Sequence, residues 1–140
     1  MEMDLVAHCG TVNRGSYISS VVLTNIASGW TEATPILVRE GSLVVETVEQ
    51  IRRGLSFSLR ALDVDNGNEF VNNRLIEYCL SHGVELTRSR PYRKNDQAWI
   101  EQKNGAVVRK LLAYRRFEGK RYGHPTPLHA MICGRRIFLG

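Results

Sequence analysis

The sequence predicts an α/β domain, and three observations carry that reading. Three strand-like segments crowd the first forty residues, rich in β-formers and poor in breakers. After them the apolar spacing alternates between helical and strand periods. The chain has 140 residues, 43% of them hydrophobic, which suits one domain with its own core.

The elements follow in order. "MEMDLVAH" opens as a strand, with Met3, Leu5 and Ala7 on one face and Asp4 and Val6 on the other. "SYISSVVLTNIA" (16–27) is the second strand, "SGW" (28–30) the turn, and "TEATPILV" (31–38) the return strand. The three read as an antiparallel meander in which Pro35 needs an edge or a bulge. Val44, Val48, Ile51 and Leu55 then mark one face of a helix, capped by Ser42 and ended by Gly54. "FSLRALDVD" (57–65) is the fourth strand and stops at Asn66-Gly67. "FVNNRLIEYCLSHG" (70–83) is a helix with Leu75, Ile76, Cys79 and Leu80 inward and Gly83 just past its end. "VELT" (84–87) is the fifth strand. A basic loop, "RSRPYRKN", leads into a long helix from about Asp96 to Tyr114, with Ile100, Val107, Leu111 and Tyr114 on one face. A last helix starts near Thr126, with proline at its first position. The order is βββ-α-β-α-β-α-α, with no internal repeat and no glycine-rich phosphate loop.

Charge is divided along the chain. Residues 1–85 hold 6 Lys/Arg and 11 Asp/Glu, a net −5, while residues 86–121 hold 11 Lys/Arg and 3 Asp/Glu, a net +8. An acidic half beside a basic segment points to metal on one side and a polyanion on the other. No apolar run approaches the roughly 20 residues of a membrane span, and no secretory signal opens the chain. Cys9, Cys79 and Cys133 are odd in number and at no metal-binding spacing. They read as reduced thiols of a cytoplasmic protein, Cys79 in the core.

Three carboxylates stand out. Asp4 lies within the first strand, Asp65 closes the fourth, and Glu101 falls in the first turns of the long helix, bordering its buried face. A strand middle, a strand end and a helix start can converge on one point. Converged carboxylates repel one another unless cations neutralise them. Hard divalent ions with oxygen ligands meet that need, magnesium foremost. Two such ions can activate an attacking oxygen and stabilise a leaving one in phosphoryl transfer. Asp63 shares a strand face with Asp65, and Glu69 reads as structural. His8 reads as a packed or hydrogen-bonded histidine rather than a ligand.

Between Asp65 and Glu101 lie 35 residues. With "DNGNEF" and "RPYRKNDQAWIEQKN", this spacing resembles the catalytic core of DDE integrases and transposases, the retroviral-integrase superfamily with a D,D-35-E signature. "DLVAHCG", "SGWTE", "DNGNEF" and "SRPYRKNDQAWIEQKN" are more narrowly similar to bacterial insertion-sequence transposases. The resemblance covers about residues 3–121, with 122–140 as a C-terminal helical segment of a single domain, 1–140. It implies a ribonuclease-H-like fold, a five-stranded mixed sheet flanked by helices. It also implies that Asp4, Asp65 and Glu101 are the catalytic, metal-holding carboxylates, served by magnesium or manganese, two ions in all. Asn104, three past Glu101, matches a frequent polar partner of the site. The implied reaction is cleavage of DNA at a transposon end by water, then in-line attack of the freed 3′-hydroxyl on target DNA.

Retroviral members carry lysines four and seven residues after the glutamate, where this chain has Gly105 and Val108. Lys103, Arg109 and Lys110 are candidates to replace them on DNA, with Arg88, Arg90, Arg93 and Lys94 of the basic loop. Asn25 stands where related transposases often have aspartate. The helix-turn-helix segments of full transposases do not precede Asp4, so an isolated core is expected. A homodimer is expected through the apolar last helix and the helix at 43–54, in a bacterial cytoplasm beside the nucleoid. Two alternatives stay open: a ribonuclease-H-type nuclease acting on hybrids, and a non-catalytic DNA-binding remnant of a decayed mobile element.

Overall fold

The computed structural model describes residues 1–11, 14–15, 17–37, 40–65 and 72–89. The long basic-side helix, the last helix and the homodimer surface expected on it fall outside these residues.

Five strands and two helices alternate as the sequence predicts: β1 (Glu2–Ala7), β2 (Ser19–Thr24), β3 (Thr31–Ile36), α1 (Gly41–Gly54), β4 (Ala61–Val64), α2 (Asn73–His82) and β5 (Glu85–Arg88). They form one mixed sheet in the order β3-β2-β1-β4-β5. The first three strands are the antiparallel meander, while β4 and β5 join β1 in parallel. Such parallel neighbours require crossover connections, and α1 and α2 provide them. Pro35 lies on β3, an edge strand, where its missing N–H leaves no gap in a central ladder.

The strands are shorter than their composition suggests, because a strand ends where its partner does. β2 pairs only over Ser19–Thr24, since β1 and β3 supply backbone for those six residues. Asn25 then opens the turn, its Oδ1 accepting from the N–H groups of Ala27 (2.9 Å) and Ser28 (3.2 Å), and Gly29 takes a positive φ. The turn thus starts three residues before "SGW". β4 is confined to Ala61–Val64, where Glu2 and Met3 of β1 and Glu85–Arg88 of β5 meet it.

One face of the sheet carries the core. Met3, Val21, Leu23, Leu62 and Val64 meet Val44, Val48 and Ile51 of α1 and Leu75, Tyr78 and Cys79 of α2. On α1 the stripe Val44, Thr47, Val48, Ile51 follows the expected helical spacing. Two details differ from the sequence reading. Glu40, not Ser42, precedes α1 as the cap, and the Ser42 hydroxyl donates to Glu40 Oε1 at 3.0 Å. On α2 the buried stripe is Leu75, Tyr78 and Cys79, while Leu80 is 76% exposed and Ile76 is half-buried. The tyrosine hydroxyl finds a partner on α1, donating to Glu49 Oε2 at 2.6 Å. Ile76 and Leu80 instead line a 470 Å³ pocket beside β5. Gly83 caps α2 in the left-handed region, φ 63°, as expected from its place after the helix.

Candidate active site

The site begins with the pleat. Met3 and Val64 are register partners on β1 and β4, and both are fully buried in the core. One residue further along each strand stand Asp4 and Asp65. Alternation sets both on the opposite face of the sheet, on strands separated by about 4.8 Å. One rung below, Glu2 and Asp63 are direct register partners. By alternation Glu2 and Asp4 share one parity on β1, and Asp63 and Asp65, the latter just past β4, share the corresponding parity.

Sequence and topology both produce this arrangement. The strand period puts Glu2 and Asp4 on one side of β1, and Asp63 and Asp65 on one side of β4. The parallel register then brings the pairs level. Asp4 is half-buried, and its Oδ1 accepts from the Leu5 N–H at 2.7 Å, which orients the carboxylate. Asp65 is exposed at the open end of β4. Glu2 is only 2% exposed. The N-terminal ammonium donates to the Ala61 carbonyl at 2.6 Å, and Glu2 and Asp63 bear on it electrostatically.

β5 extends both rungs. Asp63 pairs with Thr87 and Val64 with Arg88, so Ser89 stands one step on, beside Asp65. The Thr87 hydroxyl donates to Asp63 Oδ1 at 2.8 Å, and the Ser89 hydroxyl to Asp63 Oδ2 at 3.3 Å. The Ser89 N–H donates to the Val64 carbonyl at 2.9 Å, continuing the ladder. The sequence shows only that Asp63 shares a strand face with Asp65. The paired alternation of Asp63/Asp65 and Thr87/Ser89 is the signal that identifies this cluster.

His8 lies on the same face as Asp4, four residues on. It is 4% exposed, and its Nε2 lies 2.8 Å from Ser20 Oγ. It is thus a packed, hydrogen-bonded histidine, as expected. Arg88 ends β5 with the parity of Val64, on the helix side, and borders the pocket beside α2. It does not join the carboxylates. Cys79 is buried in the core and burial pushes its thiol up, while Cys9 is half-buried, and neither forms a disulfide.

Glu101, Arg90, Arg93, Lys94, Lys103, Asn104, Arg109 and Lys110 lie outside the described residues, as do Glu69 and Cys133. Among the described residues, no three His, Cys, Asp or Glu side chains gather as metal ligands. Asp4 and Asp65 are a pair of oxygen donors on adjacent strands. That donor set suits a hard divalent cation and not a soft one. No helix among the described residues is long and apolar enough to cross a membrane.

A five-stranded mixed sheet of this order with its two helices is the architecture of a ribonuclease-H-like integrase core. The family model for the integrase core domain matches residues 1–94, and the chain belongs to that family. The catalytic core domain of the BIV integrase superposes with TM-score 0.58 and 26% identity, over 81% of this chain and 68% of that one. A chain of the simian T-cell lymphotropic virus intasome, solved in complex with the PP2A regulatory subunit B56 gamma, superposes with TM-score 0.69 over 90% of this chain and 41% of that one. Its 18% identity speaks for the fold alone. In sequence, the chain is 51% identical over 119 residues to the uncharacterized protein y4rM of Sinorhizobium fredii. The match covers 85% of this chain and 34% of that protein, so the chain spans about a third of its relative's length.

Proposed function

We propose that this domain is the catalytic core of a DNA transposase of the bacterial insertion-sequence type. What supports the proposal is that Met3 and Val64, register partners on adjacent parallel strands of an integrase-family sheet, are each followed by an aspartate, Asp4 and Asp65. Glu101, 35 residues beyond Asp65, is the third carboxylate of the proposed site. Asp4, Asp65 and Glu101 would hold magnesium or manganese, two ions in all. Bound there, the cations would lower the charge on the scissile phosphate and make the attacking oxygen a better nucleophile.

This chain's residues supply the rest. The β1–β4 ladder fixes the backbone from which Asp4 projects and just beyond which Asp65 follows, so little reorganisation would be needed on binding. The Leu5 N–H holds one Asp4 oxygen and so fixes the direction of that carboxylate. The basic segment after β5 would bind the DNA backbone. The reaction is hydrolysis at the transposon end, leaving a 3′-hydroxyl. That hydroxyl then attacks a target phosphodiester, whose own 3′-oxygen leaves. Joining two ends to one target requires two active sites held together, so the working form is at least a homodimer, acting where bacterial DNA lies.

Replacing Asp65 by Asn tests this reading. The substitution removes one ligand charge and keeps the shape. Magnesium-dependent nicking of a labelled transposon-end duplex should fall by at least two orders of magnitude, on the scale of losing an electrostatic catalytic group. The fold should persist, since relieved repulsion favours the cation-free protein. Undiminished nicking by the Asp65→Asn protein would refute the assignment. Cleavage of RNA–DNA hybrids without strand transfer would move the activity to a ribonuclease H.

A further inference from the structure

The two edges of the sheet are finished differently. β3, at one edge, carries Pro35, whose missing N–H blunts it against further pairing. β5, at the other edge, has no proline. Its Glu85 N–H donates to the Arg60 carbonyl, and the Ser89 N–H just beyond it donates to the Val64 carbonyl, both at 2.9 Å. Successive residues of a strand turn their backbone groups to opposite sides, so Leu86 and Arg88 direct N–H and C=O away from β4. Among the described residues no strand lies on that side.

A groove runs beside this open edge. Ile76, Cys79 and Leu80 of α2 face Val64, Val84 and Leu86 across a cavity of 470 Å³. That is the size of a ligand cleft, about 300–1,000 Å³. Leu80, 76% exposed, is the most exposed large apolar side chain among the described residues and lies outside the core. Leu86 and Arg88 share the parity of Leu62 and Val64, so both side chains stand on the groove's side of the sheet. Arg88 is exposed at one end of the groove, and among the described residues its guanidinium has no hydrogen-bond or ion-pair partner. Glu85 is exposed at the other end of β5, with the opposite parity.

An open backbone edge, an apolar groove along it and a cation at its end together specify the occupant. An extended peptide would take the edge by strand addition and place alternate side chains in the groove. Antiparallel pairing is the stronger per residue. Complementarity then makes the residue opposite Arg88 acidic, the one opposite Leu86, two positions on, apolar, and the next, opposite Glu85, basic.

We propose that β5 and the groove beside α2 form a docking site for an extended segment of a partner protein, of pattern acidic-any-apolar-basic, added antiparallel to β5. The site goes beyond the transposase-core reading and needs neither cation nor DNA.

The test is fluorescence anisotropy of the labelled peptide Thr-Asp-Thr-Leu-Lys-Thr with the 140-residue chain. Saturable binding is expected, and its absence at millimolar peptide overturns the proposal. Serine for the peptide leucine, or Leu80→Ser in the protein, should weaken binding by about fivefold or more. Arg88→Ala should weaken it by about threefold, as should asparagine for the peptide aspartate, with little further loss when the two are combined. Both protein positions are exposed, so parent-like thermal unfolding is expected of both variants. A peptide N-methylated at its leucine lacks the donor to the Leu86 carbonyl and should bind at least about tenfold more weakly. Equal binding by that peptide overturns strand addition, and it requires no change to the protein. If Arg88→Ala weakens duplex DNA binding and leaves the peptide affinity unchanged, the guanidinium serves DNA and the docking site is overturned. Self-association through β5 that the peptide does not displace, read by sedimentation, also overturns it in favour of a second copy of this chain.

Discussion

Gly41 opens α1 where there is no room for a side chain. A β-carbon built there would collide with the Asn72 carboxamide. Asn72 is the N-cap of α2, its Oδ1 accepting from the Leu75 N–H at 2.9 Å. The start of one helix is thus packed on the cap of the other. Gly→Ala usually stabilises a helix by about 0.5–1 kcal/mol. Here Gly41→Ala should destabilise the domain, because displacing a cap costs about 1 kcal/mol and adds a steric penalty. In an Asn72→Ala background the same substitution should become neutral or stabilising. Urea unfolding of the four proteins checks this, and identical effects of Gly41→Ala in both backgrounds would contradict the contact. Asn72 as a cap is consistent with its residue type. Its contact with Gly41, thirty-one positions away, is visible only in three dimensions.

At the level of elements, α1 and α2 are joined by a polar network above their apolar stripe. Tyr78 Oη donates to Glu49 Oε2 at 2.6 Å, and Arg52 Nε donates to Glu49 Oε2 at 2.8 Å and to Tyr78 Oη at 3.0 Å. Arg53 Nε adds a bond to Glu49 Oε1 at 2.7 Å. The Arg52 guanidinium, then Tyr78 and Arg53, hold the Glu49 carboxyl well below its usual range. Burial, then Glu49, pushes the Tyr78 hydroxyl up to about 12. A carboxyl depressed in the folded state stabilises above its ordinary value, 4.5, and that contribution is lost as pH falls below it. Glu49→Gln should therefore cost stability at pH 7 and progressively less towards pH 3. A cost that stays constant across that range would contradict the network. The Tyr78 contribution persists below its ordinary value of 10 and fades as pH rises through about 12. Tyr78→Phe should cost about 1 kcal/mol at pH 7, the modest figure reflecting solvent access to the ion pairs.

For the molecule as a whole, charge separation is the governing property. Residues 1–85 carry net −5, residues 86–121 net +8. If the basic segment binds DNA, as the proposed function requires, counterions are released and log affinity should fall steeply and linearly with log salt. Changing Arg90 and Arg93 together to Ala should reduce that slope by about one unit for each phosphate no longer bound. The Asp65→Asn protein should keep the parent slope, since the substitution leaves the basic segment unchanged. An unchanged slope in the double variant, measured by fluorescence anisotropy over a salt series, would route the DNA elsewhere.

Periodicity alone determined the element order of the described residues, the positions Val44, Val48 and Ile51 of the buried stripe of α1, and the core cysteine at 79, while Thr47 joins that stripe and Leu55 falls past the helix end. Motif spacing singled out Asp4 and Asp65 and the family to which the chain belongs. These features are local, or depend on residue type at fixed separation, and a linear chain displays both. Strand ends were not legible, because β2 and β4 stop where neighbouring backbone stops rather than where β-formers do. Nor was the burial of Tyr78 in place of Leu80 legible, since the partner of its hydroxyl, Glu49, lies 29 residues earlier. The level rungs of β1, β4 and β5 were decided by parallel register. Register is a relation between distant segments, and no residue on either strand encodes it alone. For that reason tertiary structure, and not the motif, brings Ser89 beside Asp65 and gives Asp63 something to hold.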